Sequence, residues 1–333
     1  KNVGRGRDDT LFALADGTGV GGNRRDPDNG AADPEVPVLA AVRADTGVPV
    51  GCMLVYSMHP TVLHEDSTLV STDFPGAAKK YIREHVFGAG GSGGADGDAG
   101  NVPVIYHTGP AGNQSPRHAV KENTFAEAEQ LGEMLGRRVE EAWKDRRVLD
   151  TDTLAAASTE INLPRRAFPE AEDARTKLDA ARQRLEELRN RGAPRQEVRT
   201  AEVDWFGAEE TLALSQSQEE GLLTEYHNRC MPAEIQVIRI GGRTGGLSIV
   251  GWQGECFVEY ALELKKRFPR TYVISLADGE LQGYIVTQEA EREGGYESSN
   301  GLFTAESGKL LVEATSALLE NMEDASESAG GEA

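Results

Sequence analysis

The chain has 333 residues, with 35 Lys and Arg against 55 Asp and Glu, for a formal net charge of −20. So acidic a chain repels phosphate, which excludes a nucleic-acid partner and argues against docking on anionic lipid. The length allows one large domain or two ordinary ones, the 38% hydrophobic fraction suffices for a folded core, and with no apolar run of about 18 residues no transmembrane segment is expected.

The sequence opens on Lys1 without a Met or a signal-like stretch, so the native start is read as lying outside it. Residues 1–34 are rich in Gly, Asp and Arg and read as irregular. Two β runs follow, "VPVLAAVRA" (36–44) and "VPVGCMLVYS" (48–57), joined by "DTG" as a hairpin. "FPGAAKKYIREHVF" (74–87) predicts a helix with Pro in its first turn, and "GAGGSGGADGDAG" (88–100) a flexible surface loop. "VPVIYHT" (102–108) is a short buried strand running into the turn-rich "GPAGNQSPRH" (109–118). Residues 122–146 predict a long amphipathic helix capped by Asn123 or Thr124, and 149–164 a further β segment.

The composition then turns charged and helical from about 168 to 226. Leu178, Ala181, Leu185 and Leu188, and then Val198, Ala201, Trp205, Ala208 and Leu212, repeat at heptad-like spacing on either side of "NRGAP". This predicts a helical hairpin, too polar to hold a core of its own and hence an insertion. Strands are predicted again at 233–242, 246–252 and 271–277, with helices at 255–268 and 304–322 and a disordered tail beyond. The expected fold is α/β, a mixed β-sheet core flanked by helices. Its domain plan is a discontinuous α/β unit (1–163 and 232–323), the helical hairpin inserted at 164–231, and a tail at 324–333.

Reactive side chains stand just beyond strand ends, where ligands gather in open α/β sheets. His59 follows the strand ending near Ser57, Ser115 the strand 102–108, Glu255 the strand 246–252, and Tyr284 the strand 271–277. His59 can be a metal ligand, a catalytic base or a histidine that caps a core strand. Glu255 can equally be an acid favoured at a helix N-terminus, Tyr284 a packed aromatic and Ser115 a turn residue. His64, His85 and His227 read as surface groups, His107 as a packing residue, and His118, three residues past Ser115, as a weak candidate for a Ser–His pair. Imidazole, carboxylate and phenol donors suit zinc, although HExxH does not occur. Cys52, Cys230 and Cys256 are widely spaced and form no CxxC pair, against a thiolate metal site or a disulfide framework.

Five blocks in order resemble the neutral/alkaline (non-lysosomal) ceramidase family: "GNRRDP" (Asn23, Arg24), "LVYSMHPTVLHEDSTLVSTDFPGAA", "AGNQSPRH", "WQGECFVEYALELKKR" and "DGELQGYIVTQEAEREGGYESSNGLF". The resemblance covers most of 20–160 and 232–320. It implies that His59, Glu255 and Tyr284 are zinc ligands, that Ser115 is an active-site residue near the scissile bond, and that Arg24 and Tyr296 polarise or anchor substrate. It implies a zinc-dependent hydrolase that cleaves an N-acyl, ceramide-like amide with metal-activated water, a lipid-like or small-molecule substrate, and a secreted or periplasmic setting. The general base is unassigned.

Three departures stand beside it. The family's first zinc histidine belongs to an upstream His-x-His segment that this chain does not contain, so the expectation is that an upstream fragment supplies the missing ligand. Asn113 stands where the family has an acid, and Gln253 where it has a proline. The hairpin insertion is foreign to the pattern. The alternative reading is a non-catalytic, ceramidase-like scaffold that uses the helical hairpin for interaction; a metal-free esterase working through Ser115 is a third.

Overall fold

A computed structural model describes residues 31–64, 67–88, 102–116, 120–149, 153–241, 246–281 and 283–330. The hairpin expected at 36–57 forms as β1 (Val38–Val42) and β2 (Pro49–Tyr56), antiparallel with Ala40 opposite Cys52. β3 (Val104–Thr108) joins β2 in parallel, Leu54 opposite Tyr106, to complete a three-stranded sheet. The helix that makes this parallel return possible is α1 (Asp73–Tyr81), which continues into one π turn, Ile82–Val86.

α2 (Phe125–Lys144) covers the same sheet and buries Ala128, Leu131, Leu135, Val139 and Trp143, one stripe at helical spacing. Thr124 is the cap: its side chain accepts from the Glu127 N–H. α1 and α2 approach closely because α2 presents Gly132, where a Cβ would lie 2.4 Å from that of Ala77.

The second sheet has the order β4 (Leu154–Ile161), β5 (Ala233–Ile240), β6 (Leu247–Gly251), β8 (Thr271–Ile274). Its first three strands are antiparallel and β6–β8 is parallel, so it too is mixed. The two sheets abut where the Ser275 N–H donates to the Thr108 carbonyl at 3.0 Å. α6 (Val258–Arg267) and α9 (Glu306–Gly330) pack on the second sheet, and Trp252, fully buried, donates from Nε1 to Thr315 Oγ1 at 2.9 Å. The α/β class is therefore as expected, with two mixed sheets side by side. α9 reaches into the stretch expected to be a tail, which holds Ala, Glu and Ser and no proline to stop a helix.

Between β4 and β5 the expected helical hairpin forms as α3 (Ala171–Asn190) and α4 (Arg195–Glu219), followed by a third helix, α5 (Leu222–Cys230). Leu185, Leu188 and Ala201 form its own small apolar cluster with Val198 and Trp205. Nearer the sheet, Phe168 and Leu214 belong to the main core with Ile235, Trp252 and Phe257.

Candidate functional site

The chain leaves β2 by a tight turn in which the Met58 N–H donates to the Tyr56 carbonyl. His59 is then fixed twice by one acceptor: its backbone N–H and its ring Nδ1 each lie 3.0 Å from the Gln114 carbonyl oxygen. A carbonyl only accepts, so Nδ1 carries the proton and Nε2 is the nitrogen left for other chemistry. Nε2 lies 2.8 Å from Glu255 Oε1, with the two side chains 20% and 24% exposed. Burial works against an imidazolium here, but the hydrogen bond and charge of Glu255 outweigh it, and the His59 pKa is raised. The loop beyond His59 is tied down by Asp73, whose Oδ2 accepts from the Leu63 N–H at 2.9 Å, and by Asn123, which donates to the Val62 carbonyl.

The sequence predicts a helix beginning at Glu255, but Glu255 does not begin one. It lies in β7 (Glu255–Cys256), which pairs in parallel with β9 (Tyr284–Ile285), and Glu255 is the direct partner of Tyr284. α6 starts three residues later, at Val258. The cause is non-local: the Glu255 N–H donates to the Gly283 carbonyl and the Phe257 N–H to the Ile285 carbonyl, each at 3.1 Å. The ring of Tyr284 lies 6.2 Å from the His59 ring and 6.1 Å from the Tyr296 ring, centroid to centroid. His59, Glu255 and Tyr284, from three separate segments, thus lie side by side, with Tyr296 next to Tyr284.

The loop 109–116 lies against β7 because its glycines let it. A Cβ at Gly112 would fall 2.4 Å from the Glu255 carbonyl oxygen, and the Gly112 N–H donates to the Cys256 carbonyl. Asn113 locks this contact: its Oδ1 accepts from the Val258 N–H at 3.0 Å, and its Nδ2 donates to Glu259 Oε2 at 2.8 Å. The side chain therefore caps α6 from a distant loop. Ser115 lies two residues further on, with its Oγ 3.3 Å from Thr61 Oγ1. It is brought to the His59 loop, and His59 touches the Gln114 carbonyl next to it.

Tyr296 begins α8 (Tyr296–Ser299), the short turn after α7 (Gln288–Glu293). Two braces hold it. Arg166 donates to the Ser298 and Gly301 carbonyls, and α4 crosses the turn at Gly207, where a Cβ would lie 3.2 Å from Ser299 Oγ and 3.5 Å from the Tyr296 Cα. Arg24, the other expected substrate group, lies outside the described residues, as does His118. Sequence reasoning missed Gln114, Thr61, Arg166 and Gly207. Only Thr61, two residues past His59, carried a positional signal.

Among the described residues no three His, Cys, Asp or Glu side chains converge as a metal set. The set assembled here has one imidazole, one carboxylate and, as its third member, a phenol.

No protein-family model and no curated protein matches this sequence. Among solved structures, the neutral ceramidase from Pseudomonas aeruginosa superposes with a TM-score of 0.55 over 87% of this chain and 47% of that one, at 18% identity. The fold is ceramidase-like. A second structure, a ceramidase complexed with C2, gives a TM-score of 0.55 over 95% of this chain and 52% of that one, at 16% identity. The chain spans about half the length of these structures. At such identities, the ceramidase-like likeness speaks for fold alone.

Proposed function

We propose that this chain is a zinc-dependent hydrolase of the neutral ceramidase type, cleaving an N-acyl, ceramide-like amide with water. One observation carries the reading: His59, just past the end of β2, lies beside Glu255 and Tyr284, which face each other across the β7–β9 ladder.

The donor set fits zinc. Zinc takes nitrogen and oxygen ligands, and a ligating histidine usually donates its other N–H to a carbonyl or carboxylate. His59 does this, with Nδ1 on the Gln114 carbonyl. His59 Nε2, a Glu255 carboxylate oxygen and the Tyr284 phenol oxygen would hold the ion. Zinc bound there would supply Lewis acidity, polarising a carbonyl and lowering the pKa of a water molecule to about 7.

The other residues bind and orient. The Ser115 hydroxyl, 3.3 Å from Thr61 Oγ1, would hydrogen-bond an amide beside His59. Tyr296, edge-on to Tyr284, offers a second hydroxyl to anchor the substrate's polar head, and Arg24 is assigned to polarising the same group. Glu255, as a ligand, is not free to act as the general base.

Metal analysis of the purified protein tests this, alongside release of fatty acid from an N-acyl sphingosine. About one zinc per chain is expected, with zinc and activity both lost in His59→Ala. Absence of zinc and of amide hydrolysis overturns the reading and leaves a binding scaffold. Activity that survives chelation but is lost in Ser115→Ala points instead to a metal-free esterase.

A further inference from the structure

His227, read from the sequence as a surface group, is 2% exposed in α5. Its Nδ1 lies 2.6 Å from the Leu223 carbonyl one turn earlier, so Nδ1 carries the proton. Its Nε2 is buried and makes no hydrogen bond. The ring stands edge-to-face with Phe303, centroids 5.1 Å apart and planes at 88°.

Phe303 belongs to a junction of two paired segments, 163–166 and 301–304. It bridges Arg165 in antiparallel fashion; the Thr304 N–H donates to the Pro164 carbonyl and the Arg166 N–H to the Leu302 carbonyl, each at 3.0 Å. The Arg166 guanidinium donates in turn to the Ser298 and Gly301 carbonyls, which hold the α8 turn. On the α5 side, Arg165 donates to Asn228 Oδ1 at 3.0 Å. His227 therefore packs on the same segments that brace Tyr296.

The surroundings oppose an imidazolium. Among the described residues, Arg165 is the charged group that acts on His227, and residues 301–304 carry no charge. On α5 itself Glu225 and Arg229 are exposed, with Arg229 over the Tyr226 ring, while Tyr226 and Cys230 carry no charge in acid. At the end of α4 the Glu219 carboxylate is turned to the Ala171 N–H, and beyond Arg166 the Glu291 charge acts on that guanidinium. Burial, the largest influence, lowers the His227 pKa; the Leu223 carbonyl opposes it, the Arg165 charge reinforces it and the Leu302 carbonyl opposes it. The Leu302 carbonyl already accepts from the Arg166 N–H, so an imidazolium would compete with the junction for it.

We propose that His227 is an acid-sensitive latch: as the neutral imidazole it fastens α5 to segments 163–166 and 301–304, and on protonation it releases them and loosens the α8 turn that carries Tyr296. The direction follows from linkage. A histidine whose folded-state pKa is lowered contributes stability that is complete above the ordinary value of about 6.5 and is lost as pH falls below it. The opening runs through the elements that the ring touches. Under the proposed function it would withdraw the Tyr296 anchor in acid, but the latch itself does not rest on the zinc reading.

NMR of ring-labelled histidine in the full chain, with amide hydrogen exchange at about pH 7.5 and about pH 5.5 corrected for intrinsic rates, tests the latch. The His227 resonance, identified by its loss in His227→Phe, should titrate below about 6.5. One pH unit under that value an opened imidazole is about ten times more protonated than neutral, so protection of α5 and of residues 296–301 should fall by up to about tenfold. His59→Ala should show the same fall, which keeps the latch apart from the zinc site. His227→Phe, or His227→Gln should the aromatic variant misfold, should hold its protection at both pH values. A His227 value at or above about 6.5, unchanged protection in the wild type or in His59→Ala, an equal fall in the His227 variant that folds, or opening of α5 without residues 296–301 overturns the proposal.

Discussion

Glu255 stands directly opposite Tyr284 in the two-residue ladder β7–β9, and this register puts the carboxylate and the phenol beside the same imidazole. A slip by one residue would send one of the two side chains to the other face. The ladder is too short to hold its register alone. The loop 109–116 holds it from one side and α6 from the other, so the site depends on packing around backbone atoms as much as on its own side chains.

Gly112 is the tightest of these contacts. Gly112→Ala should destabilise the chain by about 1–3 kcal/mol, because the new methyl meets the Glu255 carbonyl, a backbone atom that cannot rotate away. Under the proposed function, zinc binding should weaken with it as β7 shifts. Urea unfolding with parallel metal analysis checks both; wild-type stability in this variant would refute the close approach.

Asn113 carries a separate prediction, because its amide works through both ends. Asn113→Asp keeps the oxygen that caps Val258 but replaces the donor to Glu259 with a second negative oxygen. A loss of about 1–3 kcal/mol is expected, and Asn113→Ala, which removes the cap as well, should lose at least as much. Equal stability for Asn113→Asp and wild type would mean that Glu259 is satisfied elsewhere and that the departure from the family's acid is neutral.

How far the sequence could be read follows from where each signal resides. α2 and the β1–β2 hairpin were legible because their periodicity and turn are local, and Thr124 acted as the expected cap. The meeting of His59, Glu255 and Tyr284 could be anticipated only through strand-end position and a family resemblance. The start of α6 was misplaced because β7 exists through pairing with Tyr284 and Ile285, which no pattern near Glu255 announces. The split into two sheets was likewise hidden, since it rests on which edges meet at Ser275 and Thr108. The anchoring of His59 by a main-chain carbonyl of Gln114 leaves no trace in residue type at all.

The contact of α4 with α8 links the inserted helices to the site. Gly207→Val should push α8 away through the Ser299 side chain and the Tyr296 backbone, while the surface of α4 stays helical. Under the proposed function this raises KM for an N-acyl substrate more than it lowers kcat, because Tyr296 anchors and does not react. The global melting temperature should change little, as the position lies between the insertion and a four-residue turn. Unchanged kinetics would separate the helical insertion from substrate binding.

Lys265 on α6 reaches back to the segment before β1, 2.5 Å from Asp33 Oδ2 and 2.9 Å from Glu35 Oε2. Burial alone would lower its pKa, but the charges and hydrogen bonds of Asp33 and Glu35 outweigh that, and the net shift is upward. A lysine whose folded-state pKa is raised stabilises the protein fully below its ordinary pKa of about 10.4, and that contribution is lost as pH rises through the folded-state value. Unfolding free energy measured from pH 8 upward should therefore hold and then fall beyond about pH 10, and Lys265→Met should remove this component of the fall. At neutral pH the same variant leaves Asp33, 7% exposed, without its cation, at a cost of about 3 kcal/mol. Lys265→Met with the stability and alkaline profile of the wild type would show that the pair does not fasten the segment before β1 to α6.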